Sequence, residues 1–209
     1  MPDLQPGPPP GRPHPATRRL FFALWPDEAQ RAALAHAIRK SVRACGGRPV
    51  PLPSLHVTLA FLGGVPESRI PELGAIARRA AEGFAPDTLP LALSFDSVAH
   101  WARPQILCAL AREAVPGAQV PGPQSLAENL KRQAVAAGFS PDLKPFHAHV
   151  TVARKVVRAP AGHAMHSVQW HFGSFALVES RTDPRGAVYS VVEWYSLAGA
   201  EKVRTQESN

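Results

Sequence analysis

The sequence predicts an α+β domain with antiparallel sheets, and three observations carry the prediction. Strand-like and helix-like segments mix through both halves of the chain. Several neighbouring strands have no helix between them, which requires antiparallel pairing and disfavours a doubly wound parallel sheet. One short β-prone element, His-Val-Thr followed by an aliphatic residue and Ala, occurs once in each half, at 56–60 and 149–153.

The elements follow in order. Residues 1–17, MPDLQPGPPPGRPHPAT, hold seven prolines and no apolar periodicity, and read as a disordered tail. RLFFALW at 19–25 reads as a buried strand, and Pro26-Asp27 offers a helix start. Within 27–45, Leu34, Ile38 and Val42 form an apolar stripe that stops at Gly46-Gly47. LHVTLAFL at 55–62 is a strand ended by Gly63-Gly64, and a helix over 67–84 sets Leu73, Ile76, Ala77 and Ala80 on one side. LPLALSFDSV at 89–98 and QILCALA at 105–111 are strands, and the Pro/Gly-rich 114–123 is a loop. Ser125 and Glu128 have the spacing of a capping box for a third helix with Leu126, Leu130 and Ala134 inside. HAHVTVAR at 147–154 is a strand; a loop around Pro160 and two β-rich stretches, HFGSFALVES and AVYSVVEWYSL, complete a domain over 18–198, and 199–209 is a polar tail.

A chain of 209 residues suits one compact domain or two small lobes, and 45% hydrophobic with 19% charged residues is a globular balance. Nothing approaches the ~18 consecutive apolar residues of a membrane span, and no secretory signal is legible. A cytoplasmic monomer that does not engage membranes is expected. Cys45 and Cys108, the only cysteines, are too few for a disulfide framework and lack zinc-site spacing, so they read as buried apolar fillers. The net charge of +7 and pI near 10.1 favour polyanions such as nucleic acid, although the Lys and Arg residues show no dense run.

The duplicated element carries the chemistry. On a strand, side chains alternate, so His56, Thr58 and Ala60 are expected on one face and Val57, Leu59 and Phe61 in the core; His149 and Thr151 share a face in the same way. One His-Val-Thr by itself is an ordinary half-exposed strand. Two copies among only nine histidines, one per half, point instead to a polar cleft between similar lobes. Cleaving a phosphodiester with water needs one group to accept the nucleophile's proton and another to protonate the leaving oxygen. Two imidazoles, with an ordinary pKa of ~6.5, divide that labour near neutral pH. A threonine two residues along the same face offers a hydroxyl to a nonbridging phosphate oxygen.

His56-Val57-Thr58 and His149-Val150-Thr151 resemble the paired His-x-Thr signatures of the 2H phosphoesterase superfamily, and its bacterial RNA 2′,3′-cyclic phosphodiesterase (2′-5′ RNA ligase) branch in particular. RLFFA at 19–23, LHVTLAFLG at 55–63 and Pro145-Phe146 ahead of HAHVTVAR add to the resemblance, which spans about residues 18–198. It implies a bilobal, LigT-like duplicated fold with a pseudo-twofold axis and a basic cleft between the lobes. It also implies metal-independent hydrolysis of RNA 2′,3′-cyclic phosphate ends to 2′-phosphomonoesters without a cofactor, and reversible 2′-5′ ligation. His56 is then the general acid and His149 the base, with Thr58 and Thr151 on the phosphate. The near symmetry leaves the two roles interchangeable from sequence. Arg154 matches the arginine that closes the second motif, although strict alternation turns it away from His149 unless a strand end or bulge re-aims it. Phe22, Trp25 and Phe146 are candidates to stack a base.

Two other readings compete. His147 shares the face of His149, and with His56 these make three candidate ligands for a zinc-dependent metallohydrolase, which leaves the duplicated threonines unexplained. A non-catalytic RNA-end-binding protein would use the same cleft, but Arg and Lys serve phosphate binding better than histidine does.

Overall fold

The apolar run that opens the ordered chain becomes β1 (Thr17–Leu24) of the computed structural model, which describes residues 16–84, 90–113, 122–160, 164–184 and 186–197. The residues expected in tails thus lie outside the described residues, save Thr17, which already belongs to β1, and Ala16 beside it. Leu20, Phe22 and Leu24 enter the main core, whereas Phe21 and Ala23 face the other way. Asp27 caps α1 (Glu28–Ala44) by accepting the Gln30 backbone N–H at 2.7 Å, and Leu34 and Ile38 are its buried stripe. Gly46, at φ +65°, takes the left-handed conformation that ends the helix.

Next come the short β2 (Arg48–Pro49), a 3₁₀ turn at Leu52–Ser54, β3 (Val57–Pro66), and α2 (Ile70–Glu82). Gly63 and Gly64 do not end β3, because both pair with β1, opposite Leu20 and Arg19. After β4 (Leu91–Trp101) and β5 (Ile106–Glu113), α3 (Pro123–Ala136) begins earlier than its capping pattern suggests. Gly122 is its cap, and Ser125 sits a turn inside, where its hydroxyl accepts the Gly122 N–H at 2.8 Å. The chain closes with β6 (His149–Arg154), β7 (Ala164–Phe172), β8 (Ser174–Asp183) and β9 (Gly186–Ser196). β7 is the strand missed in sequence: four polar residues, His166, Ser167, Gln169 and His171, dilute its pattern, yet Trp170 and Phe172 are buried.

Among the described residues all pairing is antiparallel, in two sheets ordered β3-β1-β8-β9 and β2-β6-β5-β4-β7. The fold is therefore α+β, as expected. The halves of the sequence are not the halves of the molecule. The C-terminal hairpin β8–β9 completes the sheet begun by β1, and α3 packs with α2 behind that sheet. Meanwhile α1 packs on β7, β4 and β6 of the other sheet, where the Trp170 Nε1–H donates to the Gln30 carbonyl at 2.8 Å. Among the described residues no helix is long and apolar enough to cross a membrane. Cys45 and Cys108 are buried and unpaired.

Candidate active site

The two His-Val-Thr elements face each other across a cleft of about 420 Å³ between the two sheets, which both imidazoles and both threonines line. Each element is built in the same way. Pairing of β1 with β3 skips Leu59, with Phe22 opposite Ala60 and Ala23 opposite Thr58. Pairing of β5 with β6 skips Val152, with Leu107 opposite Ala153 and Cys108 opposite Thr151. Each extra residue is a β-bulge that resets the alternation of its strand. In β3 the bulge moves Ala60 into the core, 1% exposed, and turns Phe61 to the cleft, which corrects the simple alternation expected for both. In β6 the equivalent bulge buries Ala153 and brings Arg154 onto the face of His149 and Thr151. Phe61 and Arg154 thus hold corresponding places in the two copies.

The imidazoles are anchored alike. His56 Nδ1 lies 2.7 Å from the Ser54 carbonyl, and His149 Nδ1 lies 2.7 Å from the His147 carbonyl. A carbonyl only accepts, so each Nδ1 carries the proton and donates it, which leaves each neutral ring with a bare Nε2. His56 stacks on Trp25 at 5.2 Å, lies 5.0 Å from Phe21, and meets Tyr189 edge-on at 5.0 Å. His149 rests 4.5 Å from Trp101. The Arg31 Nε–H donates to the Leu55 carbonyl at 3.2 Å, steadying the residue before His56, while the Arg31 guanidinium covers Trp25.

Those surroundings discharge both histidines. Burial pushes His56 down to about 4, partly opposed by the bond to Ser54, while the positive charges of Arg154 and Arg31 push the same way as burial, as His149 does when it is protonated. Burial also lowers His149, opposed by its bond to the His147 carbonyl and assisted only by charge on the His147 ring. Arg19 and Arg154 line the cleft, and none of its described lining residues is acidic. Beneath Thr151, burial raises the Cys108 thiol to about 12, so it stays a neutral filler.

The remaining sequence candidates separate clearly. Phe22 is fully buried against Phe175 and Tyr195 and does not reach the cleft, so its proposed role in base stacking is corrected: even-numbered residues of β1 point into the core. Phe146 packs half-buried on the main core. Trp25 supports His56. The His147 side chain is exposed, its carbonyl rather than its ring serves the site, and no three His, Cys, Asp or Glu residues among the described residues form a metal-binding group, so the zinc set His56, His147 and His149 does not assemble. Sequence reading missed Phe21 and Arg19, although Arg19 marks the odd-numbered face of β1 as the polar one. Ser180, Thr182 and Tyr189 carry no local signal, because a distant hairpin delivers them to the cleft.

The chain is similar in sequence and in fold to several known proteins. The family described as LigT like phosphoesterase matches residues 24–106. An RNA 2′,3′-cyclic phosphodiesterase of Thermus thermophilus is 35% identical over 191 residues, 87% of this chain and 91% of the relative. One of Escherichia coli is 31% identical over 143 residues, covering 68% and 74%. Among solved structures, E. coli LigT complexed with 3′-AMP superposes with a TM-score of 0.73 at 26% identity, covering 88% of this chain and 99% of that one. TT0787 of T. thermophilus gives 0.71 at 32%, covering 87% and 98%.

Proposed function

The chain belongs to the LigT-like phosphoesterase family, and from that premise we propose that it hydrolyses RNA 2′,3′-cyclic phosphate ends to 2′-phosphomonoesters with His56 and His149 as acid and base. The observation that carries this reading is the matched pair of imidazoles, one from each sheet, anchored through Nδ1 and lining one basic cleft.

The chemistry runs between the two free Nε2 atoms. His149 accepts a proton from water as the water oxygen bonds to phosphorus. The P–O3′ bond breaks, and His56 gives its Nε2 proton to the departing O3′, leaving a 2′-phosphate and a 3′-hydroxyl. Thr58 and Thr151 donate hydrogen bonds to the nonbridging oxygens, and the Arg154 guanidinium offsets the charge that grows on them. A 5′-hydroxyl in place of water gives a 2′-5′ linkage by the same proton transfers. Because the free cleft discharges His56, its acid proton arrives with the substrate: a phosphate anion beside the ring counters Arg154 and Arg31 and raises the imidazole's affinity for a proton.

One chain supplies both halves of the clamp, which supports action as a monomer. The two buried, unpaired cysteines suit the reducing cytoplasm. The direct test is incubation with a short RNA ending in a 2′,3′-cyclic phosphate, in EDTA, followed by identification of the product. A 2′-phosphomonoester is the expected result. A 3′-phosphomonoester, or activity that EDTA abolishes, would overturn the reading.

A further inference from the structure

Beside the catalytic cleft lies a second depression of about 270 Å³, between α1 and the segment leading from β2 into the 3₁₀ turn. Its walls include Ile38, Val42, Leu52, Leu55 and Val152, so it is an apolar trough. Arg39 and Arg43 stand exposed on its rim, and neither is ion-paired among the described residues. Val50 lines both this trough and the catalytic cleft, so the two are adjoining compartments sharing one wall.

Neither compartment has an acidic residue among its described lining residues. The sequence has no Asp or Glu between Glu28 and Glu67, and none between Asp142 and Glu179. The two acid-free stretches meet where Arg48 of β2 pairs with Arg154 of β6. A positive rim around an apolar floor, adjoining the cleft that holds both imidazoles, suits a ligand that repeats a flat weakly hydrated ring and a negative charge in each unit. RNA has that chemistry. An RNA seated by its cyclic end has one direction in which to continue, through the 5′ phosphate of its last nucleotide.

We infer that the trough is a second nucleotide subsite, which holds the base preceding the cyclic-phosphate end while Arg39 and Arg43 contact the adjoining phosphodiester. This rests on the RNA-end reading above, and it makes the protein selective for RNA ends over cyclic mononucleotides. The base lies on the aliphatic floor, with the arginine side chains closing over it.

The test compares kcat/KM for a nucleoside 2′,3′-cyclic phosphate with that for a trinucleotide ending in the same group. Three proteins are measured: wild type, the Arg39→Ala/Arg43→Ala double variant, and Ala35→Phe, which fills the trough without changing charge. Wild type is expected to favour the trinucleotide by about tenfold or more, and both variants to lose that preference while turning over the mononucleotide within about twofold of wild type. Equal wild-type turnover of the two substrates, parallel losses on both, or an unchanged preference in Ala35→Phe would each overturn the subsite. No wild-type turnover of either substrate would instead overturn the cyclic-phosphate reading itself, so the two failures are distinguishable.

Discussion

A histidine that must deliver a proton is held here in surroundings that remove it. Burial against Trp25, Phe21 and Tyr189 discharges His56 to about 4 in the free cleft, so phosphate binding and protonation of His56 are linked. The alkaline limb of kcat is therefore expected at higher pH than that of kcat/KM, because the substrate-bound acid holds its proton longer than the free one; coincident limbs would contradict the linkage. A substrate whose leaving group needs no proton should restore turnover to His56→Ala and not to His149→Ala, and the reverse pattern would exchange their roles. Folding feels the same depression. The unfolded chain binds a proton near 6.5 that the folded chain refuses until about 4, so stability from this site is complete above 6.5 and falls as pH drops towards 4. Urea midpoints at pH 7 and pH 4.5 should show that His56→Ala is less acid-sensitive than wild type, by as much as a few kcal/mol. Thr58→Val and Thr151→Val keep shape and lose one donor each, and each is expected to lower kcat by about a hundredfold with KM little changed.

At the scale of the strand, what was legible in sequence was the pair of His-x-Thr faces, and what was not was the bulge after each. A period of two places His56 with Thr58, and His149 with Thr151, because neither span crosses a bulge. Beyond the bulge the period slips by one, which is why Phe61 rather than Ala60 reaches the cleft and why Arg154 does so at all. In β1 the even-numbered aromatic is core and the odd-numbered one is cleft. Phe22→Ala should thus cost roughly 3–5 kcal/mol of stability in denaturant titrations, leaving kcat per folded molecule near wild type. Phe61→Ala should do the reverse, with little loss of stability and a raised KM. If Phe22→Ala instead proved stable but inactive, the division of β1 into two faces would be wrong.

In the whole molecule, composition and alternation were enough for the α+β class and for most elements, but not for their assembly. Nothing local in β8 or β9 says that they join the sheet of β1, or that α1 belongs with the sheet of β6; those choices are made by long-range packing, such as Trp170 donating to Gln30. The result is a cleft whose two chemical walls come from opposite sheets, so each histidine is useful only with the other in place. That interdependence is measured by the single-turnover rate on an RNA 2′,3′-cyclic phosphate for His56→Ala, His149→Ala and the double variant. If the imidazoles act as one unit, each single variant should lose on the order of a thousandfold or more, and the double variant little beyond that. Losses that multiply in the double variant, or a single variant that keeps most of its activity, would mean that the two imidazoles act independently.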